Sequence, residues 1–133
     1  MQDSIFTKIV KGEIPSHKIY EDDKTLAFLN ISPAQPGHTM IIPKKQVEFV
    51  WDLDPETYQA VMATAQKVAK HLKTALNSPY VAEMVVGVGV PHAHVHLIPF
   101  SKAEQLIKEF EPKVGEPNHQ ELAQMATKLR LGE

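Results

Sequence analysis

The sequence of 133 residues contains no cysteine. This excludes disulfide bonds, a thiolate nucleophile and any zinc site with cysteine ligands. The sequence also has no sustained apolar run near its start, where Asp3 and Lys8 interrupt residues 1–10. We therefore expect neither a signal peptide nor a membrane span, no membrane partner, and a cytoplasmic location.

The sequence has no excess of basic residues. Its 14 Lys and Arg residues are outnumbered by 16 Asp and Glu residues, so the formal net charge is −2. The basic residues are spread along the chain, and we therefore expect no basic groove for nucleic acid. A ligand the size of one nucleotide remains compatible with this charge.

Apolar periodicity and turn residues predict an α+β domain with an antiparallel sheet. Asp54 as N-cap and Pro55 at the first helical position mark the start of the longest helix, and Pro79 forbids its continuation. We expect one domain over residues 1–133, with a core at about 4–100 and a helical extension at 101–133. The expected helices cover about 4–11, 54–77, 102–110 and 120–131, and the expected strands cover about 17–21, 25–30, 38–42, 80–88 and 93–100.

Three histidines at every second position, His92, His94 and His96, are the most informative feature of the sequence. In an extended strand, alternate side chains point to the same face, so the three imidazoles would share one face. The opposite face would carry Ala93, Val95 and Leu97. The pattern predicts one strand with a chemically active face and a core face.

Imidazoles held close together cannot all be protonated at neutral pH, because each positive charge disfavours the next. A neutral imidazole is a nucleophile towards phosphorus or an acyl carbon, and a neighbouring imidazole can stabilise an oxyanion or protonate a leaving group. The cluster is thus suited to transfer of a phosphoryl-type group through a covalent histidine. Two alternatives stay open: a zinc site formed by His92, His94 and a distant ligand, and a solvated face without chemistry.

The chain resembles the histidine triad (HIT) nucleotide-binding proteins and hydrolases, whose motif is His-φ-His-φ-His-φ-φ with φ apolar. Residues 92–98 fit this motif at every position, and the similarity covers roughly the first hundred residues. The resemblance implies a five-stranded antiparallel sheet with helices, usually in a homodimer with a continuous sheet. The upstream stretches that carry it are Ile5-Phe6, Lys8-Ile9, Gly12-Glu13-Ile14-Pro15, Tyr20-Glu21-Asp22, Leu26-Ala27-Phe28, Ser32-Pro33-Ala34-Gln35-Pro36-Gly37-His38 and Ile42-Pro43-Lys44-Lys45.

The resemblance also implies hydrolysis of a nucleoside monophosphate from an amine or other leaving group through a nucleotidyl-histidine. The nucleophile would be His94, with His92 and His96 orienting phosphate oxygens or serving the leaving group, and His38 would be a fourth histidine beside them. A purine nucleotide or nucleotide conjugate would bind at Ile5, Phe6, Ile9, Phe28, Leu29, Asn30, Ile31 and Gly89. A nucleotide-binding or interaction module of the same fold, with weak or no turnover, is the alternative.

The sequence departs from the family pattern at the expected ligand site. Asn30 stands where the family usually has an aspartate that grips both ribose hydroxyls, so a charge-assisted contact is lost. The stretch 86–91 offers no side-chain donor for a phosphate, which backbone N–H groups would have to replace. Both departures favour the alternative of a binding module.

A structural zinc is the other family feature that the sequence lacks. Some members hold it with two cysteines, a histidine and a triad histidine, and here Ser4, Thr7 and Gln46 occupy the first three places. We therefore expect no zinc at this place and no cofactor. The remaining histidines, His17, His71 and His119, have no partners in any motif, and we expect them at the surface.

Overall fold

A computed structural model of the protein describes residues 2–132. It contains three α-helices, five strands and two 3-10 helices in this part of the chain. The elements are α1 (Ile5–Val10), β1 (Lys18–Glu21), β2 (Thr25–Leu29), β3 (Thr39–Pro43), α2 (Pro55–Ala75), β4 (Tyr80–Met84), β5 (Val95–Phe100) and α3 (His119–Leu129), with 3-10 helices at Val50–Asp52 and Ala103–Phe110.

The five strands form one antiparallel sheet in the order β1-β2-β3-β5-β4, which confirms the expected α+β fold. Strand β5 lies between β3 and β4, and its residue His96 is opposite Met40 on β3 and Met84 on β4. Strands β1 and β4 are the edges of the sheet. No helix in residues 2–132 is long and apolar enough to cross a membrane.

Each face of the sheet is buried by a different set of helices. On one face α2 and α3 pack against the sheet, and the apolar cluster there includes Val68, Leu72, Val95 and Leu97. On the other face α1 lies over a smaller cluster. Because residues in a strand alternate between the faces, His94 and His96 point to the face of α1 while Ala93, Val95 and Leu97 point to α2.

The helix ends follow the local sequence signals. The Asp54 side chain accepts a hydrogen bond from the Thr57 backbone N–H at 3.1 Å, and Pro55 begins α2. The helix ends at Ala75, two residues before Asn77 takes a positive φ of 50°. This end is two residues earlier than predicted, because the turn that precedes Pro79 already leaves the helical path.

The structure corrects the prediction that the three spaced histidines share one strand. Strand β5 begins at Val95, so His92 and His94 lie in the segment that leads into it. The Ala93 N–H donates to the carbonyl of Val47 at 2.7 Å, and the His92 N–H donates to the carbonyl of Val90. These loop hydrogen bonds take the place of hydrogen bonds between strands. The side chains of residues 92–96 nevertheless still alternate between the two faces of the sheet.

Two other boundaries differ from the prediction. Strand β4 ends at Met84 rather than near residue 88, because Gly87 and Gly89 have φ angles of 81° and 94°, which turn the chain out of the sheet. The helix predicted after β5 is present but begins one residue later, at Ala103–Phe110; it is a 3-10 helix, and none of its residues is fully buried. The 3-10 helix Val50–Asp52 was not expected from the sequence.

Gly37 directly precedes His38, and we expect its replacement to disturb the backbone that leads into His38. It has a φ of 88°, and an added Cβ would lie 2.6 Å from Leu76 Cδ1 and 3.3 Å from Pro99 Cγ. We predict that Gly37→Ala lowers the free energy of unfolding by about 2–3 kcal/mol, from backbone strain and overpacking together. Chemical denaturation measures this loss.

Gly115→Ala is the matched control. Gly115 has a similar φ of 83°, but no heavy atom lies within 4 Å of its added Cβ. In this variant only backbone strain should lower the free energy of unfolding, by about 1 kcal/mol. Equal losses in the two variants would show that the contact with Leu76 relaxes without cost.

Candidate active site

The fold brings four histidines together between the sheet and α1. The His94 and His96 ring centroids are 5.2 Å apart, and those of His38 and His96 are also 5.2 Å apart. His38 is supplied by the loop before β3, His96 by β5, and His94 by the segment before β5. All four rings, including that of His92, are buried.

His94 presents one free ring nitrogen. Its Nδ1 lies 2.7 Å from the carbonyl oxygen of His92, and a carbonyl only accepts, so Nδ1 carries the proton and donates. In the neutral ring Nε2 then holds a lone pair. The edge of Phe6 packs against the ring at 5.4 Å between centroids and fixes its orientation.

His38 and His96 form a polarised pair. The Ala34 backbone N–H donates to His38 Nδ1 at 3.1 Å, so the proton of a neutral His38 is on Nε2. That Nε2–H donates to His96 Nδ1 at 3.0 Å, which places the His96 proton on its own Nε2. The His96 Nε2–H makes no hydrogen bond within residues 2–132 and is available to a ligand.

Burial keeps this pair neutral. Burial, together with the neighbouring His96 and Lys113, lowers the pKa of His38 from 6.5 to about 3, and burial is the largest of these causes. Burial also lowers the pKa of His96 to about 4, helped by His94 and Lys113. At neutral pH the pair therefore offers N–H dipoles rather than positive charge.

His92 is used inside the protein. Its Nε2–H donates to the carbonyl of Pro43 at 2.8 Å, and its Nδ1 accepts from the Ser4 hydroxyl at 2.8 Å. Burial lowers the pKa of His92, and the hydrogen bond to Pro43 opposes that shift. The expectation that His92 touches phosphate oxygens or the leaving group does not fit this geometry, because neither nitrogen is free. Its ring instead fixes the backbone whose carbonyl orients His94.

The three residues at the places of the family's zinc ligands do converge on His92, but as a hydrogen-bonded group. Ser4 Oγ accepts from the Thr7 backbone N–H at 2.9 Å while it donates to His92. The Thr7 hydroxyl donates to Gln46 Oε1, which also accepts from the Ser4 backbone N–H at 2.8 Å. Two hydroxyls and an amide do not suit zinc, which prefers thiolate, imidazole and carboxylate ligands. The residues present therefore do not fit a zinc ion here.

We predict that Ser4→Ala lowers the free energy of unfolding by about 2 kcal/mol. The substitution removes the N-cap of α1 and leaves the buried His92 Nδ1 without its short hydrogen bond. Asn118→Ala is the matched control, since Asn118 caps α3 at an exposed position with no buried partner and should cost about 1 kcal/mol. Chemical denaturation compares the two, and equal losses would contradict the role of Ser4 in holding His92.

An apolar cavity of about 510 Å³ opens beside the histidine cluster. The structure places seven of the eight predicted ligand residues along it, and His94 and His96 lie at one end. Gly89 does not line it, although its neighbours Val88 and Val90 do. The lining residues are Ile5, Phe6, Ile9, Ile14, Pro15, Ser16, Phe28, Leu29, Asn30, Ile31, Met40, Val86, Val88, Val90, His94, His96, Glu109 and His119.

Several lining residues were missed by the sequence prediction. Met40 lies opposite Phe28 in the β2–β3 register, so strand alternation from Phe28 could have found it. Glu109 and His119 come from the extension after β5, where no periodic pattern or motif predicts a contact with the cavity. Only the path of the chain places them there.

Asn30 reaches the cavity with a side chain that is already engaged. Its Oδ1 accepts from the Ser32 backbone N–H at 2.8 Å, and its Nδ2 approaches the Met40 sulfur at 3.5 Å. The amide therefore has N–H donors for a ligand hydroxyl, while its carbonyl oxygen is bonded to the backbone.

The other three histidines, expected at the surface, are exposed at His119 and half-buried at His17 and His71. His17 Nε2 lies 2.9 Å from His119 Nδ1, and the two rings stack with an interplanar angle of 28°. This contact joins the chain before β1 to the start of α3 at the edge of the cavity. His71 is half-buried and its Nε2–H donates to the carbonyl of Leu129 at 2.9 Å.

His38, His96 and Glu109 form the one group of three metal-ligating side chains that converge in the described part of the chain, with ligand atoms within 4.8 Å of one another. Two imidazoles and a carboxylate suit zinc chemically. However, the N–H of Ala34 already bonds to His38 Nδ1, and the proton on His38 Nε2 points to His96. A metal between the rings would have to displace that proton, so the hydrogen bonds favour the metal-free pair.

The fold and the site together define an α+β protein with a histidine cluster at the end of an apolar cavity. Comparison with known families matches residues 11–103 to the HIT domain. An uncharacterized HIT-like protein of Borreliella burgdorferi is 40% identical over 106 residues, which cover 74% of this chain and 76% of that protein. The chain belongs to the HIT family.

Solved structures give the same result. A Hit-like protein from Bartonella henselae superposes with a TM-score of 0.81 at 34% identity and covers 96% of this chain and 95% of its own. A hypothetical histidine triad nucleotide-binding protein from Sulfolobus tokodaii also has a TM-score of 0.81, at 26% identity over 94% and 88% of the two chains. A HIT family hydrolase from Clostridium thermocellum has a TM-score of 0.67 at 27% identity over 86% and 99%. The family therefore contains nucleotide-binding proteins and hydrolases of this fold.

Proposed function

We propose that the protein hydrolyses nucleotide conjugates, releasing a nucleoside monophosphate from an amine or other leaving group through a nucleotidyl-histidine on His94. One observation carries this proposal. The hydrogen bond from His94 Nδ1 to the His92 carbonyl leaves the Nε2 lone pair free at the end of a 510 Å³ apolar cavity. A nucleophile beside a pocket that can hold an apolar ring system is what the reaction requires.

The reaction would run in two balanced steps. The Nε2 lone pair of His94 forms a bond to phosphorus while the bond to the leaving group breaks, and an amine leaving group takes up one proton from solvent. Water then attacks phosphorus and gives up one proton to solvent, while the phosphorus–nitrogen bond breaks and its electron pair returns to His94 as the nucleoside monophosphate leaves. The His96 Nε2–H, polarised by His38, would donate to a phosphoryl oxygen as its charge develops.

The decisive experiment is to trap the intermediate. Adenosine 5'-phosphoramidate is mixed with the protein in the presence of a chelator, and the reaction is stopped in alkaline denaturant, where a phosphorus–imidazole bond survives. Peptide mass mapping should find the AMP increment on the peptide that carries His94. Release of AMP without an adduct, or loss of turnover on chelation, would overturn the covalent mechanism.

A nucleotide-binding module with weak turnover is the second candidate. It is favoured by Asn30, whose carbonyl oxygen is occupied by Ser32, and by the apolar side chains of Val86, Val88 and Val90 at the phosphate end. AMP binding by calorimetry, together with release of AMP no faster than from a His94→Ala variant, would establish this function instead.

We also propose that the chain is a single domain and that the protein is located in the cytoplasm. We further propose that it forms a homodimer through its edge strand β4. Strand β4 has no neighbour on its outer side within residues 2–132, and Tyr80 and Glu83 on it are exposed. Pairing of two β4 strands would remove this edge from solvent. Sedimentation equilibrium should give twice the chain mass of 14.9 kDa, and a single-chain mass would remove the dimer.

A further inference from the structure

The cavity proposed to bind a nucleotide has an unexpected charge distribution. Among its lining residues, all within the described range 2–132, there is no Lys or Arg, and Glu109 is the one carboxylate. Most phosphate sites supply positive charge, whereas here burial lowers the pKa of His38 and of His96 and keeps these two imidazoles neutral. The electrostatic field beside His94 and His96, where the phosphate would bind, therefore depends on Glu109.

Glu109 lies directly against the histidine pair. Its Oε1 is 3.8 Å from His38 Nδ1, and its Oε2 is 3.6 Å from His96 Nδ1. The side chain is 13% exposed, and Oε1 is buried without a hydrogen bond. Within residues 2–132 no donor forms a hydrogen bond to Oε1, and the charge of an ionised carboxylate in this position acts on whatever binds beside His96.

The nearest cation is on the outer side of this carboxylate. Lys113 Nζ lies 3.6 Å from Glu109 Oε1, but its side chain is 41% exposed and does not line the cavity. Its Nζ donates to the carbonyls of residues 108 and 109 and so stays at the surface. Lys113 contributes to the lowered pKa of His38 and of His96, so its charge reaches the pair, but within residues 2–132 Glu109 is the one Lys, Arg, Asp or Glu side chain that lines the cavity.

We propose that Glu109 makes the cavity select its ligand by charge, favouring nucleotidyl groups with one negative charge over free nucleoside monophosphates with two. This inference rests on the proposed nucleotide hydrolase function. Hydrolysis converts a singly charged phosphoryl group into a doubly charged product, so Glu109 would also speed product release. Glu109 lies outside the matched HIT domain, residues 11–103, which makes it a feature of this chain's extension.

The test measures binding of three ligands at pH 8, where a phosphate monoester with a second pKa of about 6 is fully ionised. Adenosine is uncharged, adenosine 5'-methylphosphate is an inert diester with one negative charge, and AMP carries two. The wild-type protein should bind the methyl ester more tightly than AMP. Glu109→Gln should leave adenosine unchanged, tighten the methyl ester about threefold and tighten AMP about tenfold, because the repulsion scales with ligand charge.

Glu111→Gln is the matched control, since it removes the same charge from an exposed side chain two residues further along the same segment. It should change none of the three affinities. Glu109→Asp keeps the charge and should keep the wild-type order of ligands.

The outcomes separate this inference from the proposed function. Equal changes for all three ligands in Glu109→Gln, or no change, would overturn the charge selection while nucleotide binding stands. If Glu109→Gln does not fold, the wild-type order decides, and AMP binding more tightly than the methyl ester would overturn the inference. Failure of the wild-type protein to bind any of the three would overturn the proposed function itself.

Discussion

Replacement of His94 by alanine should lower the rate of AMP release from adenosine 5'-phosphoramidate by about 10⁴-fold or more, the scale expected when a hydrolase loses its nucleophile. The variant keeps the His92 carbonyl and the polarised His38–His96 pair, but it has no lone pair at the end of the cavity. AMP binding should stay within about threefold of the wild-type value, since the apolar lining is unchanged. Rate and affinity are measured on the same preparation.

His71→Ala is the matched control for this prediction. It also replaces a histidine by alanine, but His71 lies away from the cavity on α2 and bonds only to the Leu129 carbonyl. Its rate of AMP release should stay near that of the wild-type protein. A His94→Ala variant that keeps more than a tenth of the wild-type rate would show that another group attacks phosphorus.

Lowering the pH should decrease the free energy of unfolding, because His38 and His96 are buried as neutral imidazoles. In the unfolded chain an imidazole has a pKa near 6.5, while burial lowers the pKa of His38 to about 3 and that of His96 to about 4 in the fold. Between these values the unfolded state binds protons that the folded state does not, so stability falls as the pH falls. The stabilisation is fully present above pH 6.5, and each group removes about 1.4 kcal/mol per pH unit below it.

At pH 5 this amounts to roughly 2 kcal/mol for each histidine, and to about 4 kcal/mol for the pair. Chemical denaturation between pH 7.5 and 5 measures the slope. His96→Asn removes one of these rings and keeps an acceptor for the His38 Nε2–H, so its slope should be clearly shallower than that of the wild-type protein. A free energy of unfolding that stays constant down to pH 5 would show that the pair is protonated in the fold.

The sequence predicted most of the fold because the signals are local. Asp54, Pro55 and Pro79 marked the long helix through capping and through the missing proline N–H. The alternation around His94 and His96 predicted which side chains face the core, and it held even where the strand itself did not extend. Strand ends were less well predicted, because Gly87 and Gly89 allow a turn without requiring one at a given residue.

The candidate site was predicted only in part. The apolar cavity residues followed from the resemblance to the HIT family, and the structure places them together. The internal role of His92 could not be predicted, since it depends on Ser4 and on the carbonyl of Pro43, which are 88 and 49 residues away. The His17–His119 contact joins residues 102 apart, and no local pattern encodes such a distance.

The sequence by itself determined the chemistry that is available: imidazoles at alternate positions, no thiol, and apolar residues against which a ring system can bind. Tertiary structure alone decided which histidine takes which role. Hydrogen bonds to backbone carbonyls and amides set which nitrogen of each ring carries the proton, so that His94 has a free lone pair and His92 has none. The path of the extension then placed the carboxylate of Glu109 against His38 and His96, because a charge acts through space and not along the chain.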